Sequence, residues 1–192
     1  PLAAIRLGLG NVEGGGVAGA ALGREPVQVV GPNVLDTAFA QAPVEWWAAR
    51  GEWGLTQRWA CSPEWSFFGG GESPSPLLWS KDRFEGDQVI EFWAATQYSG
   101  EPERSPSDLN VAFCADGRDL SSGYNFLFGG GGQKFDRLMR GNAVLAERPF
   151  AERKDKPHQD WTRVRIEKRG NMVRASVDDS LIFEQRDPDP LP

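Results

Sequence analysis

The segment from Trp161 to Pro192 constrains the fold most, because its apolar and polar residues alternate as they do in short β-strands. The apolar positions of its first two strand-like runs are Val164, Ile166, Val173, Ala175 and Val177. Apolar residues at every second position indicate strands with one buried face and one solvated face. Turns fall at Gly170–Asn171 and Asp179–Ser180, where the residue types tolerate a positive φ or hydrogen-bond their own backbone. The segment therefore predicts a three-stranded antiparallel meander and an all-β fold.

Short strand-like runs separated by loops rich in glycine and proline precede this meander. The runs are 53–59, 77–80, 87–95, 109–115, 123–128, 135–139 and 143–146. The loops include Gly69–Pro76 and the glycines Gly129–Gly132. Many short strands with such turns are typical of an antiparallel β-sandwich or jelly roll. The run Asp87–Ala95 is largely apolar on both faces, with Glu91 as the exception, which predicts a central strand.

Residues 1–33 differ from the rest of the chain by their glycine content, which weakens a strand prediction. We predict that they form two or three edge strands or the remnant of a preceding module, and that residues 34–192 form one sandwich domain. The sequence starts at Pro1 without an initiator methionine, so we expect it to have been processed or cut from a longer chain.

Composition narrows the classes of partner. The chain has 192 residues and a net charge of −6, and its arginines and lysines form no basic block. Binding to nucleic acid needs clustered cations, so we expect no nucleic-acid partner. No apolar run approaches the roughly 20 residues of a membrane-spanning helix, so we expect no membrane insertion. The eight tryptophans predict either a strongly aromatic core or a surface that stacks on flat ligands such as sugar rings.

Several segments resemble strand and turn motifs of one protein family. Gly51–Leu55 resembles a Gly-x-Trp-x-Val strand, and Leu138–Glu147 resembles a Leu-x-Arg-Asn-Gly-x-Val-Val-Ala-Glu hairpin. Further motifs of the same group are matched by Asn33–Phe39, Leu77–Lys81, Phe84–Phe92 and Trp161–Pro192. On these motifs, residues 33–192 resemble the concanavalin A-like lectin/glucanase superfamily, which includes laminin-G-like modules and 3-keto-disaccharide hydrolase-type domains. The resemblance implies a jelly-roll sandwich, a role connected with sugars, and an exported bacterial protein that is extracellular or periplasmic.

Two departures from that family limit what the resemblance implies about function. The strand that usually follows the family's Asp-Pro-x-Pro-Leu segment does not follow here, and we expect it to come from residues 1–30 or from beyond the given sequence. The Glu-x-Asp-x-x-Glu motif of laminarinase-type glucanases does not occur, nor do the Arg, Gln-x-His and Tyr motifs of jelly-roll alginate lyases. The single histidine, His158, lies in a charged segment. The resemblance therefore implies a fold and a sugar-related role but no active site.

The first functional hypothesis is a carbohydrate-binding or structural module that holds a poly- or oligosaccharide on its concave sheet face and adjacent loops. Aromatic rings stack on the apolar faces of sugars. The tryptophans predicted at strand ends or in loops are Trp46, Trp47, Trp59, Trp65 and Trp79, and those predicted in the core are Trp53, Trp93 and Trp161. The predicted sugar contacts are Trp65, Tyr98, Tyr124, Asn125 and Arg137.

Two alternative hypotheses stay open. A sugar-cleaving domain of the glycoside hydrolase type would need a general acid, and Glu91, a carboxylate among aromatic residues in mid-strand, is the candidate catalytic residue. The favoured interpretation of Glu91 is a structural one, as an outward-facing residue or one paired with an arginine such as Arg137. The third hypothesis is an adhesion or assembly module whose sandwich face packs on a protein partner.

Calcium is the one metal that the resemblance suggests. Many members of the superfamily bind it through aspartates and backbone oxygens near a sheet edge. Asp108, Asp116 and Asp119 are close in sequence and could supply such oxygens, although they equally suit turn formation. We predict no other cofactor and no other metal site.

The two cysteines, Cys61 and Cys114, are either bonded to each other or two buried thiols. A disulfide depends on the separation of the two Cα atoms, which the sequence does not give. Both alternatives stay open.

Overall fold

The computed structural model describes residues 3–11, 34–37, 44–56, 66–70, 76–96, 109–151 and 162–192. The strands in these ranges are β1 Ala3–Asn11, β2 Val34–Thr37, β3 Trp46–Arg50, β4 Glu52–Thr56, β5 Ser66–Gly70, β6 Leu77–Ser80, β7 Gln88–Thr96, β8 Leu109–Phe113, β9 Tyr124–Gly129, β10 Phe135–Arg140, β11 Ala143–Pro149, β12 Thr162–Arg169, β13 Met172–Val177 and β14 Ser180–Arg186. A 3-10 turn, Leu120–Ser122, precedes β9, and a turn at Gly130–Gln133 joins β9 to β10. No helical segment among the described residues is long and apolar enough to cross a membrane.

The C-terminal meander forms one side of an eight-stranded antiparallel sheet. Its strands β12, β13 and β14 pair in sequence order, and the sheet continues from β12 through β7, β1, β5 and β4, with β2 paired to β1. The turn between β13 and β14 uses Asp178 and Asp179, whose φ angles are 45° and 65°, so it begins just before the predicted position. Two successive positive φ values suit the right-handed twist of a tight hairpin. The predicted meander is confirmed.

A four-stranded sheet, in the order β11-β10-β9-β8, packs against the large sheet. The core side chains from the large sheet include Ile90, Phe92, Val164, Ile166, Val173 and Phe183, and those from the smaller sheet include Leu109, Phe113, Phe126, Phe128 and Leu138. The rings of Phe126 and Phe183 meet edge to face across the two sheets, with centroids 6.2 Å apart. The fold is an antiparallel β-sandwich, as predicted from the sequence. Membership of the concanavalin A-like superfamily stays a prediction.

Strand β7 is an inner strand of the large sheet, as its apolar faces predicted. It pairs with β12 on one side and with β1 on the other. Ile90 and Phe92 point into the sandwich core, so by strand alternation Val89 and Glu91 point to the opposite face. Both of these residues are also buried. The two faces of β7 therefore differ in chemistry: one belongs to the core and the other carries a buried carboxylate.

Strand β1 lies inside the large sheet, between β7 and β5, whereas an edge position was expected for residues 1–33. Gly8 is opposite Glu91 and Gly10 is opposite Val89 in the β1–β7 register. An inner strand such as β7 needs hydrogen-bonding neighbours on both sides, and the meander supplies only one of them. This part of the N-terminal segment therefore shares a sheet with the domain predicted to start at residue 34. Residues 12–33 lie outside the described ranges.

Cys114 follows β8 as a half-buried free thiol. Its φ of 51° ends the strand earlier than predicted. Burial raises the pKa of the Cys114 thiol to about 11, and the charge of Lys168 opposes this only partly. The thiol is therefore protonated and unreactive at neutral pH. Cys61 lies outside the described residues.

Candidate functional site

A cavity of about 220 Å³ is lined by strands from all three sheets. Its lining comes from β3 and β6, which form a two-stranded sheet, from β4 and β7 of the large sheet, and from β8, β9 and the preceding 3-10 turn. Three of the lining side chains are tryptophans: Trp46, Trp53 and Trp79. We call this site the tryptophan cavity.

Local backbone geometry brings the three tryptophans together. Trp46 begins β3, which pairs with β6, so Trp46 and Trp79 lie on neighbouring strands. Gly51 separates β3 from β4 with a φ of 81°, a left-handed value that glycine adopts without strain. The indole N–H of Trp53 donates to the carbonyl of Arg50 at 3.0 Å across this turn. The turn therefore lets Arg50 and Trp53 line the cavity from two different strands.

Two indole N–H groups of the cavity residues are buried donors. Trp46 and Trp79 are each 8% exposed, and their Nε1 atoms have no hydrogen-bond partner among the described residues. A buried donor without an acceptor costs about 1–3 kcal/mol, and folded proteins contain few of them. Because these Nε1 atoms are inaccessible to solvent, the two indoles present other atoms to the cavity.

The polar side chains of the lining are few. Among the described residues that line the cavity, Arg50 is the charged one and Asn110 and Asn125 carry amides. The Nδ2 of Asn125 donates to the carbonyl of Leu120 at 2.6 Å, which fixes the orientation of its amide. An aromatic cavity with a small number of fixed polar groups is the usual composition of a small-molecule site.

Of the predicted sugar contacts, the structure brings Asn125 to the tryptophan cavity. Arg137 does not line it: its Nε donates to Glu147 Oε2 at 2.5 Å, and its guanidinium carbon lies 3.9 Å from the centroid of the Phe135 ring. Arg137 is thus engaged by neighbours on its own sheet. Trp65 and Tyr98 lie outside the described residues, so their predicted contacts stay predictions.

Tyr124 is in the sandwich core and not at a surface. Its ring is fully buried and stacks on Phe113 with centroids 5.1 Å apart. Its hydroxyl donates to Asp187 Oδ2 at 2.7 Å and accepts the N–H of Leu191 at 3.0 Å. Adjacent residues of a strand point to opposite faces, so Tyr124 faces the core when Asn125 faces the cavity. The two neighbours therefore lie on opposite faces of β9, and the predicted sugar contact of Tyr124 stays a prediction.

The environment of Tyr124 gives a test by pH titration. Burial, with the hydrogen bond to Asp187 next in weight, raises the pKa of Tyr124 to about 12. Tyr98 is the one other tyrosine of the chain, so a Tyr98→Phe variant reports Tyr124 alone through tyrosinate absorbance. We expect a midpoint near pH 12 in the folded variant and near about 10 in guanidinium-unfolded protein.

The sign of the linked stability change follows from the same shift. A phenol whose pKa is raised on folding contributes stability in full below the unfolded value, and that contribution is lost as pH rises through the folded value. The stability contributed by Tyr124 is therefore lost between the unfolded pKa and about 12. A midpoint near the unfolded value in the folded Tyr98→Phe variant would contradict the buried hydrogen bond.

Glu91 is held by two arginines on the face of β7 opposite to the cavity. Its Oε2 accepts a guanidinium N–H from Arg163 and another from Arg165, each at 2.8 Å. Arg163 also pairs with Asp179, and Arg165 pairs with Glu167. The hydrogen bond that Arg163 donates to Glu91 is the main cause of the raised pKa of the Arg163 guanidinium. Glu91 therefore forms buried ion pairs with Arg163 and Arg165, and it does not pair with Arg137.

The carboxylates of Asp116 and Asp119 accept hydrogen bonds from backbone N–H groups of their own loop. Oδ1 of Asp116 accepts the N–H groups of Asp119 and Arg118, both at 2.8 Å, and these bonds hold the pKa of the Asp116 carboxyl below its ordinary value. Asp119 Oδ1 accepts the N–H of Ser121 at 2.8 Å. Within the described part of the chain, no three His, Cys, Asp or Glu residues are grouped to hold a metal ion. Asp116 and Asp119 therefore stabilise the turn that contains them, as the alternative of turn formation predicted; Asp108 lies outside the described residues.

Trp53 was predicted in the core, yet it is half-buried and lines the tryptophan cavity. Arg50 also lines the cavity and was not predicted as a site residue. The available signal was their position on either side of Gly51, because a turn between two tryptophan-bearing strands brings the flanking side chains close together.

Comparisons with known proteins add one likeness. No protein-family model matches the sequence, and neither does any curated protein. Among solved structures, the chain is similar to the carbohydrate binding module CBM66 from Bacillus subtilis, with 15% sequence identity and a TM-score of 0.41. The alignment covers 77% of this chain and 82% of that module. Its name describes that module and not this chain.

Proposed function

We propose that this protein is a carbohydrate-binding module whose tryptophan cavity receives a sugar ring. One observation carries the proposal: Trp46, Trp53 and Trp79 line one cavity that is also lined by amide side chains. The flat indole face packs on the C–H face of a sugar ring, while the amides of Asn110 and Asn125 can bond its hydroxyls. This combination of apolar faces and fixed polar groups suits a sugar better than a purely apolar ligand.

The size of the cavity supports one ring and not a long stretch of polymer. A volume of about 220 Å³ is below the roughly 300–1,000 Å³ of typical drug-sized ligand pockets. A polysaccharide would therefore place one residue in the cavity and continue outside it. We accordingly expect recognition of a chain end or of a branch.

The test is a glycan array combined with product analysis and tryptophan fluorescence. We expect one or more glycans to bind and to change the fluorescence of the protein, because tryptophans line the proposed site. We also expect no released reducing or keto sugar. Absence of binding across neutral and acidic glycans would reject the proposal.

Replacing Trp53 by alanine should weaken sugar binding strongly. A tryptophan that anchors a ligand contributes about 2 kcal/mol or more, so the dissociation constant should rise at least about tenfold. Trp53 is half-buried, whereas Trp46 and Trp79 are almost fully buried, so Trp53 is the substitution least expected to disturb folding. Isothermal titration calorimetry with the best glycan of the array measures the change.

Trp47 offers a matched control on the neighbouring strand. It is 43% exposed and does not line the cavity. Trp47→Ala removes the same side chain from the same small region and should leave the dissociation constant within about twofold. Equal losses in the two variants would point to a binding surface other than the tryptophan cavity.

The hydrolase alternative rests on Glu91 and gains no support from its position. Ile90 and Phe92 line the cavity, so Glu91 between them points away from it. Turnover of the bound glycan that is lost in Glu91→Gln would favour the hydrolase. The adhesion hypothesis and the predicted location outside the cytoplasm stay predictions.

A further inference from the structure

We propose that the sugar received by the tryptophan cavity carries a carboxylate, as a uronic acid does, and that Arg50 pairs with it. This inference rests on the proposed function and specifies the class of its ligand. It is carried by the charges and the hydrogen-bonding capacity of the residues that line the cavity.

Arg50 is a cation with no partner among the described residues. Its guanidinium makes no ion pair or hydrogen bond there, although its backbone carbonyl accepts the indole N–H of Trp53. Exposed Arg186 likewise has no ion pair among the described residues, whereas Arg137, Arg163 and Arg165 each bond a carboxylate within 2.8 Å. A guanidinium matches the planar geometry of a carboxylate and can bond it through two parallel N–H groups. A carboxylate on the ligand would give Arg50 the partner that these arginines already have.

The charged side chain of the lining is a donor. Among the described lining residues Arg50 is the charged one, and no aspartate or glutamate is present. A guanidinium can only donate and a carboxylate can only accept, so a carboxylate suits Arg50 better than a hydroxyl, which both donates and accepts.

The net charge of the protein does not favour an acidic ligand, so binding of such a ligand would depend on the contact with Arg50. The chain carries a net charge of −6, which repels an acidic ligand at long range. Selection of an acidic sugar therefore depends on a short-range contact, and Arg50 is the group available for it. Because Arg50 is exposed, added salt should lower the affinity for an acidic ligand more than the affinity for a neutral one.

The experiment compares matched pairs of saccharides by calorimetry. The probes are trimers of galacturonic acid and of glucuronic acid, each beside its carboxyl-reduced counterpart, which keeps the ring and the linkage but lacks the charge. We expect at least one acidic trimer to bind about tenfold more tightly than its reduced form, the size expected for one charge-assisted contact. Arg50→Gln should abolish that preference by lowering the affinity for the acidic trimer toward that for its reduced counterpart.

Arg186 provides the control for net charge. It is exposed on β14 and does not line the cavity, so Arg186→Gln changes the total charge equally and should keep the preference. Equal binding of acidic and reduced trimers, or a preference that survives Arg50→Gln, overturns the inference while the proposed function stands. Failure of every neutral and acidic glycan to bind overturns the proposed function and this inference with it.

Discussion

Replacing Glu91 by alanine is expected to lower the free energy of unfolding by about 3 kcal/mol. Glu91 is 4% exposed, and its two arginine partners are only 18% and 23% exposed in their side chains. Removing the carboxylate leaves two half-buried guanidiniums facing the same vacated space. Losses of about 3–5 kcal/mol are typical when one partner of a buried ion pair is removed. The lower end applies because Arg163 keeps Asp179 and Arg165 keeps Glu167.

A second ion pair on the same sheet serves as the control. Arg174 and Glu184 pair at 2.6 Å between β13 and β14, but their side chains are 49% and 45% exposed. Exposed pairs contribute at most about 1 kcal/mol, because water screens both charges and the side chains lose conformational freedom. Urea unfolding followed by tryptophan fluorescence should therefore separate Glu91→Ala from Glu184→Ala by about 2 kcal/mol. Equal losses of stability in the two variants would contradict the burial of Glu91 and its two arginine partners.

Glu91→Gln separates the structural role of this residue from a catalytic one. Glutamine keeps the shape and one oxygen acceptor but loses the charge, so we expect a smaller loss of stability than with alanine. Sugar binding should be unchanged, because Glu91 lies on the opposite face of β7 from the residues that line the tryptophan cavity.

Local patterns were enough to predict the sandwich. Alternation along β12 and β13 and the turn residues after each strand predicted the meander, and the two apolar faces of β7 predicted an inner strand. These signals are local because the order of apolar and polar residues within one strand indicates which of its faces is buried. The position of strand β1 was harder to predict, because its alternating glycines have no side chain that would indicate a buried face.

The partners of individual site residues could not be predicted in the same way. Glu91 was expected to pair with an arginine such as Arg137, but the register of β12 against β7 places Arg165 opposite Glu91. Register between strands distant in sequence depends on how the whole sheet assembles, not on local alternation. The tryptophan cavity has the same origin, because β3, β6 and β9 are far apart in the chain and meet only after folding. Asn125 was predicted as a site residue, whereas its aromatic surroundings were not.

Replacing Asp187 by alanine is the other substitution expected to have a large effect, lowering the free energy of unfolding by about 3 kcal/mol. Asp187 follows β14 and is 1% exposed. Its Oδ2 accepts the hydroxyl of Tyr124 at 2.7 Å, and its Oδ1 accepts the N–H of Asp189 at 3.0 Å and a guanidinium N–H of Arg140 at 3.3 Å. Alanine would leave the buried hydroxyl of Tyr124 without its acceptor and would release the C-terminal segment from the core.

Asp189 is the matched control for that substitution. It also pairs with Arg140, at 2.6 Å, but its side chain is 84% exposed, so Asp189→Ala should cost at most about 1 kcal/mol. A double-mutant cycle between Asp187→Ala and Tyr124→Phe should give a coupling energy of about 1–2 kcal/mol, because both variants remove the same charge-assisted hydrogen bond. Urea unfolding of the four proteins of the cycle measures it. Additive losses would mean that Tyr124 and Asp187 stabilise the fold independently of each other.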